Sequence, residues 1–143
     1  MKKFLLISHG HFADGILDSL KHIMGNVEGI ETLCAYTDPS MDFAAEAARY
    51  VEGIGSEEEL IVVSDLFGGS VNNEFMRYIG KPGFHLVAGL NLSLLIELVN
   101  NRDMETHEMI ALAVDISRDA IKCCDDLLKS AAPNAPSQSK KEQ

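Results

Sequence analysis

Four short β-rich runs alternate with stretches of helical periodicity, and this alternation limits the possible folds more than any other feature of the chain. The runs cover residues 4–8, 30–36, 60–64 and 84–88, the clearest being Leu60-Ile61-Val62-Val63-Ser64. Helical spacing fills residues 12–24, where Ile16, Leu17, Leu20, Ile23 and Met24 share one face before Gly25-Asn26 stops the helix. Further helices are predicted over 41–53, 70–79, 92–100 and 106–119. Repeated βα units imply a mostly parallel open sheet covered on both faces. The predicted class is therefore α/β with a flavodoxin-like strand order 2-1-3-4.

Apolar residues make up 46% of the 143, enough for one domain's core. A folded domain over residues 1–129 is expected, followed by a polar, low-complexity tail over 130–143 that cannot bury apolar surface. Residues 120–128 are ambiguous between an extension of the last helix and a short edge strand at 121–124. The formal net charge of −10 argues against a nucleic-acid partner, because no Lys/Arg cluster exists to neutralise phosphates. A basic protein partner suits it better. Cys34, Cys123 and Cys124 form neither a disulfide framework nor a zinc pattern, which fits a reducing cytosol. The opening apolar run ends after four residues at Ser8-His9-Gly10-His11, too soon for a signal peptide, and no stretch is long enough to span a membrane.

Ligands of open parallel sheets bind beyond the carboxyl ends of the strands, where the strand order reverses. Here that point lies between the first and third strands. The first ends in Ser8-His9-Gly10, and the third in Ser64-Asp65-Leu66-Phe67-Gly68-Gly69-Ser70. An imidazole and a carboxylate therefore emerge from neighbouring strands about 5 Å apart. A neutral imidazole accepts a phosphoryl group only when one nitrogen keeps its lone pair and the other holds the proton. Asp65 can accept from His9 Nδ1, leave Nε2 free to attack and stabilise the charge that builds on the ring. Gly68, Gly69 and Ser70 open a helix, whose amides suit an anion, and the Ser70 hydroxyl can cap that helix or bind a phosphoryl oxygen. Each signal alone is weak; their weight comes from falling at one crevice.

His11, His22, His85 and His107 read as structural or solvated. Phe67 and Asn91 are candidates for partner docking, although Asn91 suits a helix cap better and Phe67 needs to be exposed. The spacing of His9, His11, Asp14 and Asp65 also admits a metal hydrolase, but no second cluster supports one, so no metal site is expected. A receiver module phosphorylated on Asp65 would need an acidic pair after the first strand, where Ser-His-Gly-His stands.

The segments Ile7-Ser8-His9-Gly10, Val63-Ser64-Asp65-Leu66-Phe67-Gly68-Gly69-Ser70, Gly89-Leu90-Asn91-Leu92-Ser93-Leu94-Leu95-Ile96-Glu97 and Ala111-Leu112-Ala113-Val114 resemble the IIA domains of the mannose class of the bacterial phosphoenolpyruvate-dependent sugar phosphotransferase system. The resemblance implies that His9 is the phosphorylated histidine, Asp65 the carboxylate that orients it and Ser70 the hydroxyl beside the phosphoryl group. It implies HPr as donor, a histidine of a IIB component as acceptor, and a membrane IIC/IID channel beyond. No cofactor is implied. It further implies a cytoplasmic homodimer, drawn to the inner membrane face only through its complex, with an edge strand near the C-terminus exchanged between protomers. Because the chain stops after a tail resembling the family's linker, a free-standing IIA with a separate IIB is expected. Ser93 stands where many members have proline. The phosphocarrier of dihydroxyacetone kinase systems is the nearest rival, and the Gly-Gly-Ser and Gly-Leu-Asn segments favour the sugar type.

Overall fold

The first strand, β1 (Lys2–His9), carries its side chains alternately to two cores, as strand geometry requires. Phe4 and Leu6 face one side, Leu5 and Ile7 the other, and all four are buried. A strand apolar on both faces belongs in the middle of a covered sheet. In the computed structural model, which describes residues 1–130, β1 lies between β2 (Ile30–Ala35) and β3 (Glu59–Ser64). β4 (Phe84–Ala88) pairs with β3, giving a four-stranded, all-parallel sheet in the order β2-β1-β3-β4. The predicted class and order are those observed.

Helices α1 (Phe12–Met24), α4 (Leu92–Asn100) and α5 (Thr106–Asp119) cover one face. They supply Ala13, Leu20, Leu95, Leu98 and Met109 to the core built on Phe4, Leu6, Ile61 and Val63. On the other face, α2 (Phe43–Glu52) and α3 (Ser70–Met76) add Ala47, Val51, Val71 and Phe75 to Leu5, Ile7, Leu33 and Val62. Each fully buried Val, Leu, Ile, Phe or Met among them contributes about 1.5–3 kcal/mol of hydrophobic transfer. The sheet is thus clamped between two apolar layers, and its strand ends are fixed relative to one another.

Several boundaries differ from those predicted by a residue or more. β1 runs on to His9 rather than stopping at Ser8. α3 is shorter than the 70–79 pattern because backbone turns from Tyr78 to Phe75 and Ile79 to Met76 replace its last turn. β2 stops at Ala35 because Tyr36 takes φ 66°, a left-handed conformation that cannot continue a strand.

The edge strand expected over 121–124 is not formed. Residues 121–123 have no regular structure, and α6 (Cys124–Ser130) follows them. A lone strand leaves its ladder groups unpaired, whereas a helix closes them locally, as in the bond from Leu127 N–H to Cys123 O (3.4 Å). Beyond residue 130, the expected polar tail lies outside the described residues.

Candidate functional site

Asp65 continues the ladder one residue past β3, its amide donating to Ile7 O at 3.1 Å. That register sets its carboxylate beside the end of β1. Asp65 Oδ2 accepts from both the backbone amide of His9 (2.8 Å) and His9 Nδ1 (2.9 Å). A carboxylate only accepts, so Nδ1 carries the proton and the lone pair lies on Nε2. The double contact fixes the imidazole in position and tautomer together. Asp65 is largely covered (14% side-chain exposure), while the His9 side chain is 40% exposed. The ring is held from beneath and open above.

The far side of the ring meets the start of α3. Ser70 Oγ lies 3.3 Å from His9 Nε2 and 2.8 Å from the hydroxyl of Tyr36. The Tyr36 ring sits tilted against the imidazole, with centroids 5.7 Å apart. Since Nε2 is an acceptor, Ser70 donates to it and Tyr36 donates to Ser70. A single polarised chain thus runs from Tyr36 through Ser70 and the imidazole to Asp65.

Ser70 is the first residue of α3 and not its cap. Gly69 holds the cap position with no side-chain bond, so the serine hydroxyl is left for the site. The two glycines are needed for different reasons. Gly68 adopts φ +83°, which disfavours any residue with a side chain. At Gly69 an added Cβ would stand 3.2 Å from His9 Cε1, so the bare backbone is what admits the ring.

Ser8 and Tyr36 join the site without a role that the sequence alone assigns them. Ser8 is buried, and its hydroxyl donates to Gly10 O (2.9 Å) and accepts from Ala13 N–H (2.9 Å). It stands in for the cap that His11 does not supply to α1 and fixes the turn carrying His9. Ser-His at a strand end hints at this. Nothing local marks Tyr36, whose involvement depends on the left-handed turn after β2.

Of the docking candidates, Phe67 is 75% exposed, and Leu66 and Phe12 are also exposed. Asn91 is the cap of α4, its side chain accepting from Leu94 N–H at 2.8 Å. The remaining histidines lie apart from this chain of bonds. His85 pairs with Glu59 at the opposite end of the sheet (2.9 Å) and touches the His107 ring, and His22 bonds Asp18 on its own helix.

His11 turns to Asp14 (3.3 Å), away from the His9–Asp65 pair, so the His-x-His spacing does not converge on one centre. Among the described residues, His11, Asp14 and Cys34 do bring ligand atoms within 4.8 Å of one another. These groups are already engaged. Thr32 donates to Asp14 at 2.6 Å, which holds its carboxyl below the usual range, and burial pushes the Cys34 thiol up, toward the form that binds metals poorly.

The family model described as "PTS system fructose IIA component" matches residues 3–114. The fold overlays a Klebsiella pneumoniae structure described as a phosphoenolpyruvate-dependent sugar phosphotransferase permease, with TM-score 0.85 and 38% identity over 89% of this chain and 93% of that one. It also overlays the mannose/sorbose-specific IIA subunit of Enterococcus faecalis (TM-score 0.72, 31% identity, 86% and 95% covered). Among curated relatives, the mannose-specific EIIAB component of Escherichia coli is 24% identical over 119 residues. The match takes in 80% of this chain and only 37% of that longer protein. Among the described residues, no helix is long and apolar enough to cross a membrane. With the match covering most of the chain and the site at the carboxyl ends of β1 and β3, this chain belongs to the EIIA-man family of sugar phosphotransferase system IIA components.

Proposed function

We propose that this protein is a cytoplasmic phosphocarrier that takes a phosphoryl group from phospho-HPr onto His9 Nε2 and passes it to a histidine of a IIB component, for sugar uptake through a membrane IIC/IID channel. The observation that carries this reading is the 2.9 Å contact from His9 Nδ1 to Asp65 in a ring whose other nitrogen faces an exposed surface. In the transfer, the Nε2 lone pair forms the new N–P bond as the donor's N–P bond breaks and the donor imidazole leaves with its electron pair. The His9 ring becomes cationic while Nδ1 keeps its proton, and Asp65 stabilises that charge. When the phosphoryl group moves on to IIB, the ring returns to neutrality without exchanging a proton with water.

The surroundings support this use. The Ser70 hydroxyl, at the first residue of α3, is a donor beside Nε2, and phosphoryl transfer depends on such positioning and electrostatics. Exposed Phe67, Leu66 and Phe12 give a protein partner apolar contact. The strong negative charge favours basic donors and acceptors. Ile121 and Leu128, each 77% exposed, offer an apolar seam for a homodimer in which the segment after α5 pairs with a second copy.

Incubation with phosphoenolpyruvate, enzyme I and HPr, followed by mass mapping, tests the reading. One phosphoryl group on His9, stable in alkali and lost in acid, is expected, and His9→Ala should take none. A label on Asp65, or an equally labelled His9→Ala protein, would refute the assignment.

A further inference from the structure

We propose that Tyr36 is a positioning residue of the phosphoryl relay: its hydroxyl holds Ser70 so that the serine O–H is always aimed at the transferring group. The inference rests on the phosphocarrier reading and adds a residue to it.

Two observations and an electrostatic argument converge on this side chain. The first is the hydrogen-bond polarity. With Nε2 an acceptor, Ser70 donates toward the nucleophile, and the Tyr36 O–H, 2.8 Å from Ser70 Oγ, occupies a lone pair of that oxygen. A serine hydroxyl otherwise rotates freely. Tied through its oxygen, it keeps its proton on the side where a phosphoryl oxygen arrives.

The second is the backbone. Among the described residues, Tyr36 is the one non-glycine residue with positive φ, at 66°. Glycine or asparagine would make the same turn with less strain. Packing does not explain the tyrosine either, since the residue is 72% exposed. An aromatic residue held in a disfavoured conformation without burial points to a use for its side chain.

The third is electrostatic need. A phosphoryl group brings about −1.5 to −2 charges within reach of the Asp65 carboxylate. Neutral O–H donors on the far side of the ring answer that repulsion, and Ser70 and Tyr36 are the two hydroxyls in direct sequence there. Once Nε2 is bonded to phosphorus it no longer accepts. The Ser70 O–H then passes from Nε2 to a phosphoryl oxygen, with Tyr36 keeping its oxygen in place. No proton is gained or lost.

The full-length wild-type, Tyr36→Phe and Tyr36→Gly proteins are charged with phosphoenolpyruvate, enzyme I and HPr. The maximal rate, the half-saturating HPr concentration and the lifetime of the phosphohistidine are compared. Tyr36→Phe keeps the ring and loses the hydroxyl. It should lower the maximal rate roughly three- to tenfold, in line with the loss of one neutral hydrogen bond, and leave half-saturation unchanged. Tyr36→Gly should lose at least as much rate yet melt no lower than wild type, because glycine accepts the turn. The chain has three tyrosines and no tryptophan, so tyrosine emission should respond to phosphorylation in the wild type and fail to respond in Tyr36→Phe.

Wild-type rate and lifetime in Tyr36→Phe, with His9 labelled, would overturn the role of Tyr36 and leave the phosphocarrier intact. A change confined to half-saturation would place Tyr36 in donor docking and also overturn it. Absence of label on wild-type His9 would bring down the phosphocarrier reading itself.

Discussion

Asp65 does two things with one oxygen. Oδ2 receives the His9 backbone amide and the ring Nδ1, while Oδ1 is buried with no hydrogen-bond partner among the described residues. The first bond fixes the strand end, and the second fixes the ring. Removing the carboxylate therefore releases the tautomer without removing the nucleophile. Asp65→Ala should still bind HPr, but phosphoryl transfer to His9 should slow by roughly 10²-fold, the scale of a positioned acid–base partner. Stopped transfer assays alongside HPr titration read the two effects separately. Equal rates in variant and wild type would remove Asp65 from the mechanism. Gly69 belongs to the same neighbourhood, because its missing side chain leaves the room that the imidazole fills.

At the scale of elements, the site consists of residues at the ends of strands that cannot shift and at the start of α3. α4 shows how such elements are trimmed: Asn91 caps it through Leu94 N–H and also reaches Gly89 O at 3.4 Å, closing the loop after β4. Asn91→Ala should cost about 1 kcal/mol, read as a lower midpoint in thermal or urea melts, with phosphoryl transfer unchanged. A loss of transfer at unchanged stability would instead favour docking.

Much of this level can be read from residue order. Short β-branched runs such as Leu60-Ile61-Val62-Val63 suit central strands, and βα repetition with right-handed crossovers leaves few strand orders, so His9 and Asp65 fall together on topology. Tyr36 escapes such reasoning because a left-handed tyrosine follows from no propensity; the turn that swings it toward Ser70 is set by tertiary contacts. The segment after α5 escapes for another reason. A strand there needs a ladder from a second chain, and without one local helical bonds are the better use of its backbone groups.

At the scale of the molecule, the end of the sheet opposite the site is pinned by Glu59. Its carboxylate accepts from Thr106 Oγ1 at 2.6 Å and meets His85 Nε2 at 2.9 Å, joining β3 to α5 and β4, with His107 and Lys2 nearby. The Thr106 bond, then His85, holds this carboxyl below its ordinary value of 4.5. A carboxyl depressed on folding adds stability that is complete above its unfolded value and is lost as pH falls through the folded one. Thr106→Val should therefore lower the unfolding free energy from urea melts at pH 7 by a modest amount, about 0.5–1 kcal/mol given partial exposure and screening. The deficit should shrink below about pH 4.5, where the wild type also loses the interaction. A deficit of constant size across that range would mean that packing, and not the carboxylate, carries the effect.

The central place of β1 has a consequence for how this carrier fails. Its amides and carbonyls are bonded to neighbours on both sides, so its end cannot drift from that of β3 by loosening a loop. Parting the two backbones that carry the imidazole and its carboxylate means tearing the middle of the sheet, an event as costly as melting the whole domain. Stress should therefore leave each molecule either fully competent or wholly unravelled, with no population of half-working copies that hold the phosphate yet discharge it to water.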